Sequence, residues 1–263
     1  MSAKKKPTVI KIGGSTLGSL DTTLQNLVDL QKQGLVPVVV HGGGATIDEW
    51  MNRQGLMPRF IRGLRVTDES SLQIVVAVLA GLVNKQLVAA ITALGGKAIG
   101  LSGVDSGILE AQMMDKELGF VGDIAQVNPY PIQDLVQLGY MPILAPIASN
   151  QSHMDMETVS MLNVNGDTAA GHLAWALEAE QLVFLTDVEG VLDSSGRLIP
   201  RLTIREAKGL LISGAASGGM IPKLSACIHA LEQTEKASIV DGRKAGALIS
   251  AVNGDGTGTR LNR

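Results

Sequence analysis

Aromatic side chains are nearly missing from this chain, with Phe, Trp and Tyr making up 3% of its 263 residues. A core must therefore be built from Val, Ile, Leu, Ala and Met, which the 45% apolar content allows. Cysteine is scarcer still. Cys227 stands alone, so no internal disulfide can form, and the composition points to the cytoplasm. Within "KLSACIHAL", a helical pattern, Cys227 reads as a small buried hydrophobe rather than a nucleophile. His41, His153, His172 and His229 show no paired-ligand spacing, so no metal site is expected. Charge of one sign is lacking too. A net charge of −3 argues against general binding to nucleic acid or to an anionic membrane. The longest apolar run, "IVVAVLAGLV" at 74–83, is too short to span a bilayer. No apolar stretch of the signal-peptide kind follows Lys4, Lys5 and Lys6, which read as a solvated tail.

Glycine is plentiful at 31 residues, much of it placed where apolar runs stop. Strands are predicted over 8–13, 36–40, 98–101, 142–146, 182–186 and 237–241. Helical patterns near 21–33, 45–54, 68–94, 131–138, 167–179, 203–212 and 221–234 lie between them. Such alternation implies an α/β fold with parallel pairing and helices on both faces. Ser19 or Asp21 can cap the first helix and Gly34 can stop it; Thr67 can cap the long helix, which Gly95 and Gly96 end. Because 74–83 is apolar almost all round, that helix needs cover on two sides. The expected cover is its own sheet and a second subunit, hence a homodimer, or else a second lobe. Two β-like runs flanking Ser194, Ser195 and Gly196 predict a hairpin over 187–202. A soft boundary near 179–181 divides the chain into residues 1–179 and 180–263.

The polar residues gather just after the strands, in "KIGGS", "HGGGA", "GLSGVD", "LTDVEG" and "VDGRKAG". Ligands of open parallel sheets bind beyond these carboxyl ends. Gly42, Gly43 and Gly44 run straight into a helix starting near Ala45, which predicts an anion site made of backbone donors. No GxxxxGK[ST] loop and no protein-kinase signature set is present. Lys11 sits in the buried-strand pattern "VIKIGG", where an unpaired ammonium costs several kcal/mol. Lys223, in "GGMIPK" after Gly218 and Gly219, falls in a first helical turn that disfavours a cation unless an anion joins it. In "LNVNGD" an extended backbone would set Asn163, Asn165 and Asp167 on one side, with Asp167 capping the next helix. Arg65 of "GLRVTD" suits a carboxylate, and equally an ordinary surface position.

Together with "GLVNKQLV", "GGKAIGLSG" and "GYMPILAPIA", these motifs run in order over nearly the whole chain. They resemble the amino acid kinase family, and within it the members that phosphorylate N-acetyl-L-glutamate. The resemblance implies a three-layer αβα sandwich on an open, mainly parallel eight-stranded sheet. It implies an N-terminal lobe, 1–179, for N-acetyl-L-glutamate and dimerisation, and a C-terminal lobe, 180–263, for ATP carrying Mg2+. The implied reaction is phosphorylation of the γ-carboxylate, the second step of arginine biosynthesis. Lys11 and Lys223 would stabilise the transferring phosphoryl group from opposite sides, with Asp167 orienting both. Amides of Gly13, Gly14, Gly43 and Gly44 would hold phosphoryl or acyl oxygens, and Arg65 and Asn163 the α-carboxylate. Asp187, Gly218 and Gly219 would join Lys223 at the nucleotide.

Three departures from the family pattern stand out. Gly166 replaces a more usual alanine. Few residues precede the first strand, and the C-terminal "DGRKAGALISAVNGDGTGT" lacks the histidine and glutamate of arginine-inhibited members. The expectation is a dimer insensitive to arginine. Two alternatives share the fold: a kinase for aminoadipate on an acidic carrier protein, and a non-catalytic nucleotide sensor. The presence of Lys11, Lys223 and Asp167 counts against the sensor. Binding of a nitrogen-signalling regulator protein is left open.

Overall fold

The computed structural model describes residues 6–13, 21–151, 161–256 and 258–263. β1 (Thr8–Ile12) is built on Val9, Ile10 and Ile12, and α1 (Asp21–Lys32) follows. Gly34, at φ +78, ends that helix as expected. β2 (Pro37–His41) leads through the glycine triplet into α2 (Gly44–Arg53). A short hairpin, β3 (Phe60–Ile61) and β4 (Leu64–Arg65), precedes one long helix. That helix has α-helical ends, α3 (Glu69–Val76) and α4 (Asn84–Ala93), joined by π-helical turns over Ala77–Val83. β5 (Ala98–Ser102), β6 (Leu109–Met113), β7 (Val121–Val127), α5 (Tyr130–Gln137) and β8 (Met141–Ala145) come next. β9 (Ile147–Asn150), β10 (Met161–Val164) and α6 (Gly166–Ala176) complete the first part of the chain. The remainder is β11 (Gln181–Thr186), β12 (Arg201–Thr203), α7 (Ile204–Ile212), α8 (Met220–Ala230), β13 (Lys236–Asp241), α9 (Ala247–Asn253) and β14 (Thr259–Asn262).

Each of the six predicted strands forms within a residue of its expected ends, and all six share one sheet. Its order is β12-β14-β13-β11-β1-β2-β8-β5, eight strands in all. From β13 to β5 every pairing is parallel, while β14 runs antiparallel to β13 and carries β12 at the edge. Strand residues are buried on both faces, so the period-two geometry sends alternate side chains into two different cores. Val9, Val38 and Phe184 pack with Leu173 of α6 and Leu224 of α8. Ile10, Ile12 and Val39 pack with Leu27 of α1, Ile47 of α2, and Val75 and Leu87 of the long helix. The result is the expected three-layer sandwich.

Of the described strands, eight lie outside the six predicted: β3 and β4 form the short hairpin, β12 and β14 extend the large sheet, and four more make a second sheet. β6, β7, β9 and β10 pair into a small sheet that closes on itself in the order β10-β7-β6-β9. In β6, Leu109 and Ala111 are buried while Gln112 is exposed, the alternation of a half-buried strand. Over five residues that signal does not stand out.

Two expected caps move by one or two residues. Asp68, not Thr67, caps the long helix: its side chain accepts from Ser71 N. Thr67 is buried and donates its hydroxyl to Arg65 O instead. Asn165, not Asp167, caps α6, accepting from Asp167 N and Thr168 N at 2.9 and 3.1 Å. The extended run stops at Val164 because Gly166 is already helical, which turns Asp167 into a first-turn residue. Ser19, His153 and Gly14 lie outside the described residues.

The long helix, Glu69–Ala93, spans 25 residues and is apolar enough to cross a bilayer by length and composition, unlike the ten-residue run within it. Burial of Leu72, Val75, Val78, Leu79, Val83, Leu87 and Ile91 against the sheet, α1 and α2 accounts for that apolarity. The predicted hairpin is reduced to one bridge, Leu192 with Leu198, around Gly196 at φ +76.

Candidate active site

On β1, Lys11 shares the face of Val9 and so points toward α6 and α8. It is 9% exposed. Its Nζ lies 2.6 Å from Asp167 Oδ1, in the first turn of α6. Lys223, in the first turn of α8, donates to the other oxygen, Asp167 Oδ2, at 3.1 Å, and to Gly219 O at 3.1 Å. Burial alone would raise the Asp167 pKa, but the ammonium groups of Lys11 and Lys223 outweigh it and hold the carboxyl below its ordinary value. One carboxylate between two ammonium groups leaves a net positive charge, held in fixed positions at the carboxyl end of a central strand.

Close helix packing makes this possible. A Cβ on Gly171 would lie 2.8 Å from Ala226 Cβ and 2.9 Å from Ala226 O, so α6 and α8 touch backbone to backbone here. Lys223 thereby comes within reach of Asp167. Gly166 is different, since a Cβ there would meet Lys11 Cε at 3.5 Å, an ordinary contact. The departure from alanine leaves the cluster undisturbed.

Beside this cluster opens a pocket lined by Gly43, Gly44, Phe60, Arg65, Asn163 and Gly166, among others. Gly43 and Gly44 sit at the start of α2, where the first N–H groups lack intrahelical acceptors. Gly43 rests on the π-helical segment, and a Cβ would fall 2.7 Å from Leu79 Cδ2. Arg65 is buried, with Nη1 2.6 Å from Asp48 Oδ1, Nη2 3.4 Å from Gly44 O, and the guanidinium 4.7 Å from the Phe60 ring centroid. Asn163 donates from Nδ2 to Thr67 Oγ1 at 3.1 Å.

Gly13 donates its N–H to Leu185 O at 3.0 Å, which extends the β1–β11 ladder by one residue. Gly218 adopts φ +53 and Gly219 directly precedes α8. Asp187 lies just past β11 and accepts from Thr186 Oγ1 at 3.2 Å. Nearby, Val188, Val191, Leu192, Leu210, Ala216 and Met220 line a second, apolar depression. Cys227 is buried as expected, and burial pushes its thiol pKa up, with Asp167 adding to the shift.

The structure thus brings Lys11, Asp167 and Lys223 into direct contact and places Gly43, Gly44, Arg65 and Asn163 around one pocket. Sequence reasoning missed Asp48 and gave Thr67 and Asn165 different roles from those they have here. Asp48 carried no signal beyond lying on a helix after the glycine triplet. Asn165, expected on one side with Asn163 and Asp167 in an extended run, caps α6 instead.

A sequence model described as the amino acid kinase family matches residues 6–241. The chain is 44% identical over 253 residues to an acetylglutamate kinase of Dehalococcoides mccartyi, covering 96% of this chain and 93% of the relative. It is 43% identical to an acetylglutamate kinase of Gloeobacter violaceus, covering 97% and 87%. Among solved structures, smu.665 from Streptococcus mutans superposes with a TM-score of 0.84 at 29% identity, covering 97% of this chain and 98% of that one. A strand-end lysine, a helix-start aspartate and a second helix-start lysine joined beyond a parallel sheet, on a chain this similar over nearly its whole length, place the protein in the amino acid kinase family.

Proposed function

We propose that this kinase transfers the γ-phosphoryl group of ATP to the γ-carboxylate of N-acetyl-L-glutamate, yielding N-acetyl-L-glutamyl 5-phosphate in arginine biosynthesis. The observation that carries the proposal is the Lys11–Asp167–Lys223 cluster beside a pocket that combines backbone donors with a buried arginine. The relatives named acetylglutamate kinase support the choice of acceptor.

In the reaction, a γ-carboxylate oxygen forms a bond to the γ-phosphorus while the bond to the β–γ bridging oxygen breaks, and ADP leaves with that electron pair. No proton needs to move. Charge spreads over the transferring oxygens, so positioned cations and N–H donors supply the catalysis. Lys11 and Lys223 meet that charge from two elements, and Asp167 holds both ammonium groups in place. A positioned donor of this kind contributes about 3–4 kcal/mol to lowering the barrier. Amides of Gly43 and Gly44 receive acyl-phosphate oxygens at the positive end of α2. Arg65 and Asn163 bind the α-carboxylate, with Asp48 and Thr67 holding their side chains.

Residues 180–263 take the nucleotide, with Gly218, Gly219 and Asp187 near its phosphates and the apolar depression suited to its base. Gly13, at the end of β1, lies close to the phosphates. Mg2+ carried by the nucleotide would supply charge neutralisation at the ATP phosphates. Both Asp167 oxygens already face ammonium groups, which fits a metal carried by the nucleotide rather than held at this carboxylate. The protein works as a homodimer in the cytoplasm, covering the outward side of the long helix; its single buried cysteine suits a reducing compartment.

Hydroxamate trapping of the acyl phosphate tests this reading with MgATP and N-acetyl-L-glutamate, glutamate, aspartate or carrier-linked aminoadipate. Selective product from N-acetyl-L-glutamate is expected. Selective product from another acceptor would overturn the substrate while keeping the phosphotransfer.

A further inference from the structure

The "GLVNKQLV" stretch has no part in the site so far, yet it holds a fully buried polar residue. Asn84 stands where the π-helical turns give way to α4 and is 0% exposed. Its Nδ2 lies 2.8 Å from Ile143 O, 3.2 Å from Leu101 O and 3.2 Å from His41 Nε2. Its Oδ1 receives Lys85 Nζ at 3.0 Å, and that ammonium also donates to Gly100 O at 3.1 Å. Glycine is required at 100, because a Cβ there would fall 2.0 Å from Asn84 Oδ1.

These contacts leave one consistent proton arrangement. An ammonium only donates and a backbone carbonyl only accepts, so Lys85 fixes Oδ1 and the carbonyls of Leu101 and Ile143 fix Nδ2. The two Nδ2 hydrogens serve three neighbours, with Leu101 O and His41 Nε2 sharing one, and Gly42 O beside Nδ1 can only accept; the proton of the neutral ring therefore lies on Nδ1 and Nε2 is an acceptor. His41 Nδ1 donates it to Gly42 O, 2.9 Å away. Burial pulls the His41 pKa down to about 4 against that hydrogen bond, and the charges of Lys11 and Lys85 pull the same way, so the ring is neutral at physiological pH.

Peptide planarity gives this bond a consequence. Gly42 C=O and Gly43 N–H belong to one trans peptide and point in opposite directions. Holding the carbonyl on His41 aims the Gly43 N–H away from the ring. The next peptide is held likewise, with Gly43 O accepting from Ile47 N at 2.9 Å.

We propose that His41 and Asn84 are positioning residues for the oxygen-binding amides at the start of α2. The long helix orients His41 through Asn84, and His41 sets the Gly42–Gly43 peptide plane. The oxygens to be bound rest on the phosphotransfer reading above; the proton arrangement does not.

The test has two arms. In ¹⁵N NMR of the wild-type protein, His41 should show the Nδ1–H tautomer from pH 5.5 to 8, and an Nε2–H ring would overturn the inference whatever the enzyme phosphorylates. In the second arm, His41→Leu should lower kcat about 10- to 100-fold, a range typical of supporting hydrogen bonds behind a site, with KM for ATP within twofold of wild type. His41→Asn, which returns an N–H donor near the Nδ1 position, should recover most of the rate. Full activity in a folded His41→Leu protein, or no recovery in His41→Asn, overturns the role. If His41→Leu does not fold, the tautomer and His41→Asn activity decide. A wild-type protein that phosphorylates no acceptor refutes the functional reading and leaves the tautomer result standing.

Discussion

Lys11 and Lys223 come from a central strand and from a helix more than two hundred residues later, and each holds one oxygen of the same carboxylate, at 2.6 and 3.1 Å from Asp167. On the proposed mechanism, removing either ammonium takes away one source of charge stabilisation. Lys11→Ala and Lys223→Ala should each lower kcat on the order of 10²- to 10³-fold, as loss of a positioned donor does. Asp167→Asn should act differently, because it leaves two buried cations without their counter-charge. A stability loss of about 3–5 kcal/mol is expected in urea melts. An Asp167→Asn protein as stable as wild type would show that the cluster is not a buried ion triad.

Arg65 and Asp48 form the second such relationship, with Nη1 and Oδ1 2.6 Å apart. Arg65→Lys loses the planar fork and should raise KM for the acyl acceptor by about tenfold or more, with KM for ATP little changed. Asp48→Asn should move the same constant in the same direction by a smaller factor. Initial-rate kinetics with each substrate varied in turn measure both.

Two glycines of α6 should respond in opposite ways to alanine. At Gly166 the new methyl meets Lys11 Cε at 3.5 Å, so Gly166→Ala should keep its activity and gain up to about 1 kcal/mol of stability. At Gly171 it would meet Ala226 Cβ at 2.8 Å. Gly171→Ala should cost about 1–3 kcal/mol as α8 is pushed away, and should lower kcat as Lys223 leaves Asp167. Thermal melts and rates on the same two proteins separate these cases.

His41 makes stability pH-dependent. Its pKa falls from 6.5 in the unfolded chain to about 4 in the folded one. Between these values the unfolded state binds the extra proton, so stability declines as pH falls from 6.5 toward 4 and levels off below. The contribution is on the order of 3 kcal/mol. Asp167 works lower down: its folded pKa is depressed below 3.8, so its contribution is present above that value and is lost as pH falls further. Urea midpoints from pH 7 to 3, compared between wild type and His41→Asn, should differ in slope above pH 4 and run parallel below it.

Local chemistry determined much of this protein. Apolar runs between glycine breaks specified the six parallel strands; β1, β2, β8, β11 and β13 are buried on both faces, and β5, at the sheet edge, is half-buried. Lys11 and Lys223 were legible as anomalies, each a cation placed where its own strand or helix disfavours it. Gly43 and Gly44 were legible from backbone chemistry alone. Distance was not legible. That Asp167 meets both lysines depends on α6 and α8 packing at Gly171 and Ala226, and no spacing in the chain encodes that approach. The small closed sheet, the Arg65–Asp48 pair and the Asn84–His41 relay likewise exist only once the layers assemble. Their partners are far apart in sequence, and a hydrogen bond or ion pair forms only when folding has removed the competing water.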